Sequence, residues 1–258
     1  MYWDDAAGRY DQVFPNKIVG QAQREAVWRE LEKVFRPGQH ILEINCGTGI
    51  DAVHLAESGV RVRACDISPQ MIELARRRLA SSEARAVADF RVLATEELAA
   101  LRDGPRFDGA FSNFSGLNCV QDLSGVALNL ASLLKGGARL LICVIGRWVP
   151  WEFVWHFAHS EFRKPFERFQ RVSVSREGRV KTYHHSVAAI ERAFHPHFRL
   201  RRLRGIGVVM PPGQFERWAA RFPDLFKRLA QTDRLLGGWP ILRRMGDCTL
   251  LEFEREAA

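Results

Sequence analysis

Between residues 40 and 146, short apolar runs alternate with stretches whose apolar residues recur every three to four positions. Residues 40–44 (HILEI) form a run with the length and character of a buried parallel strand. Ile50, Val53 and Ala56 then keep helical spacing, and Ser58-Gly59 stops that helix. Val60, Val62 and Ala64 alternate with Arg61, Arg63 and Cys65, which predicts a second strand ending at Asp66. Ser68-Pro69 has the form of an N-cap followed by proline at the first helical position. Met71, Ile72, Leu74, Ala75 and Leu79 supply the inner face of that helix. Residues 87–93 and 107–112 read as the third and fourth strands, and 122–134 as an amphipathic helix. Residues 138–145 (ARLLICVI) are the most apolar strand and therefore a central one. Strict alternation of strand and helix predicts an α/β fold built on a doubly wound, mostly parallel sheet.

The flanks extend this picture. Residues 21–35 carry Ala22, Ala26, Val27, Leu31, Val34 and Phe35 at helical spacing, with Pro37-Gly38 as the stop. Past Gly146 the segment 147–157 is dense in aromatic residues. It follows the end of the fifth strand, which predicts an apolar substrate wall containing Trp148 and Trp151, with Arg147 at its edge. Residues 161–182 are polar and basic and suit a hairpin or a mobile cover. Residues 198–209 suit a sixth strand, and 215–236 a helix broken near Pro223. Residues 248–254 (CTLLEFE) alternate as a last, antiparallel strand at the sheet edge, making seven strands. The expected organisation is a helical segment 1–39, a core 40–146, an insertion 147–197 after the fifth strand, and 198–258 completing the same domain.

Charge adds an asymmetry. Of the net +8, residues 146–258 carry 21 Lys+Arg against 12 Asp+Glu, so the earlier half is close to neutral. A basic half that holds substrate elements suits an anionic acceptor, a nucleic acid, an anionic membrane surface, or simply a solvated arginine-rich face. Arg76, Arg77 and Arg78 invite an RNA reading, but three consecutive helical residues spread over different faces. There is no 18-residue apolar run, so no membrane span is expected, and the first ten residues lack the form of a secretory signal. The five cysteines make no C-x-x-C, which points to free thiols in a reducing cytoplasm and to no zinc site.

The chemistry concentrates in residues 40–71. Gly47 and Gly49 lack a Cβ, so the turn after the first strand can bring backbone amides close to a ligand. Asp66, ending the next strand, can accept hydrogen bonds from a ribose diol. Gly47-Thr48-Gly49-Ile50-Asp51-Ala52 also fits G-x-G-x-x-A, the pattern of a NAD-dependent oxidoreductase. Glu43 discriminates: a carboxylate two residues before the turn repels a pyrophosphate but favours a cofactor with a sulfonium and an ammonium group. S-adenosyl-L-methionine has both.

Glu43-Ile44-Asn45-Cys46-Gly47-Thr48-Gly49 resembles motif I of the class I S-adenosylmethionine-dependent methyltransferases, acidic-x-Gly-x-Gly-x-Gly, with Asn45 in place of the first glycine. Asp66-Ile67-Ser68-Pro69-Gln70-Met71 resembles the family's ribose-binding strand end, and Leu134-Lys135-Gly136-Gly137 the turn before the fifth strand. The resemblance covers residues 1–146 and implies a cofactor set of Glu43, Asn45, Cys46, Gly47, Gly49, Asp66, Ile67 and Met71. It implies an adenine loop at Ala94, Thr95 and Glu96, in which Ala94 takes the place of the usual Asp. It places Ser112 and Asn113 at the cofactor ammonium and Phe114 beside the methyl group, with Asn118 in the same loop toward substrate. It makes 1–39 a helical lid, with Tyr10 and Asp11 closing the methionine end. Asn113 lacks the two prolines of base amino-methyltransferases, which argues against that chemistry. A proton acceptor, where one is needed, is sought in His184, His185 and Tyr10. The function expected is methyl transfer to a small, partly apolar and conceivably anionic metabolite. The alternatives are an RNA methyltransferase or RNA-binding protein, and the NAD-dependent enzyme.

Overall fold

A computed structural model describes residues 2–13, 17–84, 87–174 and 180–257. The core alternates as the sequence pattern predicts: β1 (His40–Ile44), β2 (Arg61–Asp66), β3 (Ala88–Val92), β4 (Phe107–Ser112) and β5 (Leu134–Ile145) are separated by α3 (Ile50–Glu57), α4 (Pro69–Ala80) and α5 (Leu123–Leu133). Ahead of them lie α1 (Tyr2–Val13) and α2 (Ile18–Val34). After them come α6 (Pro150–Ala158), β6 (Val172–Val174), β7 (Lys181–Tyr183), α7 (Val187–Phe194), β8 (Phe198–Ile206), α8 (Glu216–Arg221), α9 (Pro223–Leu236) and β9 (Cys248–Arg255).

Seven strands form one sheet in the order β3-β2-β1-β4-β5-β9-β8. β1 pairs in parallel with β2 and β4, and β4 with β5. β9 runs antiparallel to both β5 and β8. The last strand is therefore not at the edge: it slots between β5 and β8, and β8 is the edge strand. Its burial agrees, since Leu250, Leu251 and Phe253 are all core residues. Alternation along β9 led to the edge expectation, but its partly buried Glu252 and Glu254 are matched by Arg139, Arg201 and Arg202 on the neighbouring strands. Cross-strand ion pairing, not solvent, accounts for the polar positions.

The sheet buries an apolar layer on each face. Leu42, Ile44, Phe107, Leu140 and Phe253 belong to one cluster, and Ile41, Val62, Ala64, Phe111 and Leu141 to the other. Alternate residues of one strand thus feed opposite layers, as pleating requires. α4 starts as its residues dictate, with Ser68 Oγ accepting from the Met71 amide at 3.2 Å and Pro69 at the first helical position. Arg76, Arg77 and Arg78 diverge: they engage the Phe90 carbonyl, Glu73 and the Thr48 carbonyl respectively, so they form no joint basic patch. β6 and β7 make a small antiparallel hairpin of their own within the polar, basic segment; its tip, 175–179, lies outside the described residues.

Candidate functional site

A cavity of about 450 Å³ opens at the carboxyl ends of β1, β2 and β4, where open parallel sheets place their ligands. Its floor is the turn after β1. Asn45, Gly47 and Gly49 all have positive φ, at 60°, 52° and 71°. Gly49 could not be replaced, because a Cβ there would lie 2.7 Å from Ala75 and 2.8 Å from the Phe90 ring. Asn45 fills the place of a glycine by using its side chain. Its Nδ2 donates to Thr95 Oγ1 at 2.7 Å, and its Oδ1 accepts from Ser112 Oγ at 3.2 Å. It thereby ties the turn to the ends of β3 and β4.

Asp66 forms one wall. Its two carboxylate oxygens accept from the Gly47 and Ser68 amides, each at 2.9 Å. Burial pushes its carboxyl above the ordinary range, and these two amides oppose that shift. Ile67, Met71, Thr95 and Glu96 continue the wall, and Asn113, Phe114 and Asn118 come from the loop after β4. Asn118 braces the structure, donating to the Tyr183 carbonyl and accepting from the Ile145 amide. Trp3 and Tyr10 of α1 line the cavity from above. α1 is held there by Asp4, which accepts from Ser68 Oγ at 2.5 Å. The Asp11 side chain lies outside the described residues.

Glu43 sits elsewhere than expected. It is 1% exposed and lies behind the turn rather than on the cavity wall. It accepts from the Ala52 amide, and its Oε2 has no partner. Burial first, then the nearby Asp51 carboxylate, pushes its carboxyl well above the usual range. A carboxyl raised in the fold makes the stability attached to this group decline as pH rises above the ordinary glutamate range. Glu43→Gln should therefore melt higher than the parent, with a larger gap at pH 8 than at pH 5. Melting curves at the two pH values check this, and a gap that shrinks with pH would mean an ionised Glu43.

Besides Trp3 on α1, two residues that the sequence did not single out, Arg24 and Asp51, line the cavity beside Asn113. Arg24 of α2 donates to Asp51 Oδ1 at 2.6 Å and lies 4.7 Å over the Phe114 ring. Asp51 also accepts from Trp28 Nε1 at 2.6 Å and from Asn113 Nδ2 at 3.0 Å. Asp51 was findable, since a carboxylate in the first turn of the helix after a glycine turn complements the helix N-terminus. Arg24 and Trp3 carried no such signal: each sits among polar residues of a helix whose orientation only the fold decides.

A second cavity of about 400 Å³ adjoins the first, and both are lined by Tyr10, Phe114, Ser115, Ile145 and Thr182. Arg168, Ser173, His184, Asp247 and Cys248 complete it. His184 Nε2 lies 2.8 Å from Ser173 Oγ. Burial, then the Arg168 and Arg147 charges, lower the His184 pKa and favour the neutral ring. His185 lines neither cavity, because its Nε2–H donates to the Val120 carbonyl at 2.9 Å.

Gly49, Ala94 and Ser112 support the site without lining either cavity, while Cys46 lines the larger one as a buried thiol. The expected aromatic wall is corrected. Arg147, Trp148 and Trp151 line neither cavity. The Gly146 amide bonds the Asp247 carbonyl and the Gly246 amide bonds the Trp148 carbonyl, both at 2.8 Å. This pairing turns the chain away from the cleft as it leaves β5. Trp151 Nε1 then donates to the Val209 carbonyl, and Trp148 packs edge-on against Phe169 and remains 52% exposed. Arg147 donates to the carbonyls of Arg168 and Phe169.

Residues 41–137 match the family described as "Methyltransferase domain". The chain is 32% identical over 178 residues to a demethylmenaquinone methyltransferase of Symbiobacterium thermophilum, covering 66% of this chain and 61% of that one. It is 35% identical over 115 residues to a ubiquinone biosynthesis O-methyltransferase of Xanthomonas campestris, covering 45% and 46%. The chain thus spans less than two thirds of these relatives. Among solved structures it resembles the CcbJ methyltransferase of Streptomyces caelestis with a TM-score of 0.64 at 13% identity, over 99% of this chain and 98% of that one.

Proposed function

We propose that this chain is a class I S-adenosylmethionine-dependent methyltransferase that methylates a small molecule, a reading supported by the match of residues 41–137 to the methyltransferase-domain family. The observation that carries the cofactor half is Asp66, poised at the end of β2 with its carboxylate fixed by the Gly47 and Ser68 amides beside the larger cavity. A carboxylate has about four lone-pair sites, so two remain for a ribose diol.

The residues present fit S-adenosyl-L-methionine. The larger cavity has the volume of a small-molecule site. Asp66 would hold the ribose, and Thr95 and Glu96 would flank the adenine. Arg24 suits a carboxylate and Asp51 with Asn113 an ammonium group, in the same cavity. The bound cofactor supplies a methyl group already activated on a sulfonium. The chain's own task is to align the acceptor, to hold Trp3 and Tyr10 over the cleft against water, and to accept a proton. Glu43 supports the site from behind the turn, where it accepts from the Ala52 amide.

The names of the two relatives support a small molecule as acceptor. The anionic acceptor rested on Arg147 and on the basic C-terminal half, and Arg147 is spent on the carbonyls of Arg168 and Phe169. The RNA alternative rests on the basic C-terminal half, and the three arginines of α4, which engage separate partners, add nothing to it. Calorimetry with S-adenosylhomocysteine and NADH tests the cofactor half. Micromolar binding of the first and none of the second is expected, and binding of NADH alone would sink the assignment. For RNA, affinity should be weak even at low salt; tight, steeply salt-dependent binding would revive that reading.

A further inference from the structure

We propose that the smaller cavity is the methyl-acceptor pocket and that it takes an uncharged molecule bearing a phenol-like hydroxyl, whose proton the Ser173–His184 pair receives. The inference rests on the methyltransferase reading above and specifies its substrate class.

The first argument is charge. Arg168 is the one Lys or Arg among the described residues that line this cavity. All five of its N–H donors are committed. Its Nε and one Nη2 proton hold Glu152, at 2.9 and 2.5 Å. The other Nη2 proton holds Asp247 Oδ1 at 2.8 Å. Its Nη1 group serves the carbonyls of Gly146 and Asp247, at 3.0 and 3.1 Å. Among the described residues, Arg168 keeps no donor for an acceptor's carboxylate or phosphate. Glu152 and Asp247 both pair with this guanidinium and neutralise it, so it offers a further anion little attraction. An ionised acceptor would be desolvated here without a partner, which is costly.

The second argument is the hydroxyl. Ser173 sits on β6 and His184 directly follows β7, both on the cavity wall and 2.8 Å apart. Ser173 Oγ–H donates to His184 Nε2, and its lone pairs are left to accept from a ligand hydroxyl. His184 Nδ1 is buried without a protein partner, so Nε2 is the ring nitrogen through which a proton can arrive. A neutral imidazole is too weak a base for an aliphatic alcohol. It is matched far better to a phenol, whose pKa is about 10 like that of tyrosine. Phe114 and Tyr10, shared with the larger cavity, offer ring faces to an aromatic acceptor.

The step balances. The acceptor's proton moves to Ser173 Oγ as the serine's own proton moves to His184 Nε2. The oxygen forms a bond to the methyl carbon, and the electrons of the broken carbon–sulfur bond stay on sulfur. A methyl ether, a thioether and an imidazolium result, and the imidazolium returns its proton to solvent.

The test uses the full chain, with S-adenosylhomocysteine present, and two probes: 4-methylcatechol and 3,4-dihydroxybenzoate. Calorimetry should show the neutral catechol binding at least about tenfold tighter, the scale of an uncompensated buried charge. Ser173→Trp should abolish catechol binding and leave S-adenosylhomocysteine affinity within about twofold, since Ser173 lines only the smaller cavity. With the catechol as acceptor, turnover should fall as pH drops through the His184 pKa, and His184→Gln should be slow and lack that limb. Melting curves confirm that each variant folds. Equal or tighter binding of the benzoate, catechol binding that survives Ser173→Trp, or no binding of either probe would each overturn the proposal. Failure of the wild-type chain to bind S-adenosylhomocysteine at all would instead overturn the methyltransferase reading.

Discussion

Asp66→Ala is expected to weaken S-adenosylhomocysteine binding by about 1.5–3 kcal/mol, roughly 10- to 150-fold, the range for hydrogen bonds to a charged group. The magnitude follows from two roles in one side chain. The carboxylate would receive the ribose diol, and it already holds the Gly47 and Ser68 amides at 2.9 Å. Without it the glycine turn loses the brace that keeps Gly47 at φ 52°, so the cavity floor loosens as well. Asp66→Asn separates the two roles. An asparagine keeps one oxygen for one amide but sets an NH2 group against the other, so it should recover part of the thermal stability and little of the affinity. Calorimetry and melting curves on the two variants supply both readouts. Wild-type affinity in Asp66→Ala would remove the ribose from this wall and leave the cavity unexplained.

The core was legible because its information is local. The strand-like runs 40–44, 60–66 and 107–112 and the Ser68-Pro69 cap need only their own neighbours, and β1, β2, β4 and α4 follow them within a residue. The sheet order beyond β5 is not local. β9 alternates as an edge strand would, yet it is central because arginines on β5 and β8 receive its carboxylates. The same limit misplaced the substrate wall. Being next in the chain after β5 suggested the cleft for Arg147, Trp148 and Trp151. Pairing of 146–148 with 245–247, a hundred residues away, decides otherwise. A Cβ on Gly146 would lie 2.0 Å from the Gly246 carbonyl oxygen, so the glycine at 146 permits that approach. Glu43 shows a third case. Its identity was readable and its direction was not, because an acidic residue in a buried strand can face the ligand or back the turn.

Gly116→Ala should destabilise the chain by about 3 kcal/mol, the upper range for overpacking a filled site, and lower the melting temperature by roughly 6–12 °C. The added Cβ would lie 2.3 Å from Asn45 Cβ, 2.7 Å from its Cγ and 2.9 Å from its Oδ1. Gly116 is not among the positive-φ glycines, so the backbone itself would accept alanine and the clash is the whole effect. Asn45 cannot retreat, because its amide group is bonded to Thr95 and Ser112. Asn45→Gly alone should cost about 1–2 kcal/mol for those two hydrogen bonds. In the double variant all three close atoms are gone, so its loss should be smaller than the sum by about 2 kcal/mol, a coupling expected only between touching residues. Melting curves of the four proteins complete the cycle. Additive losses would mean that Gly116 is required for something other than room for Asn45. The expected coupling would instead make the two positions one device. An asparagine can stand where the resembled motif has its first glycine because the β4 loop places a glycine opposite it.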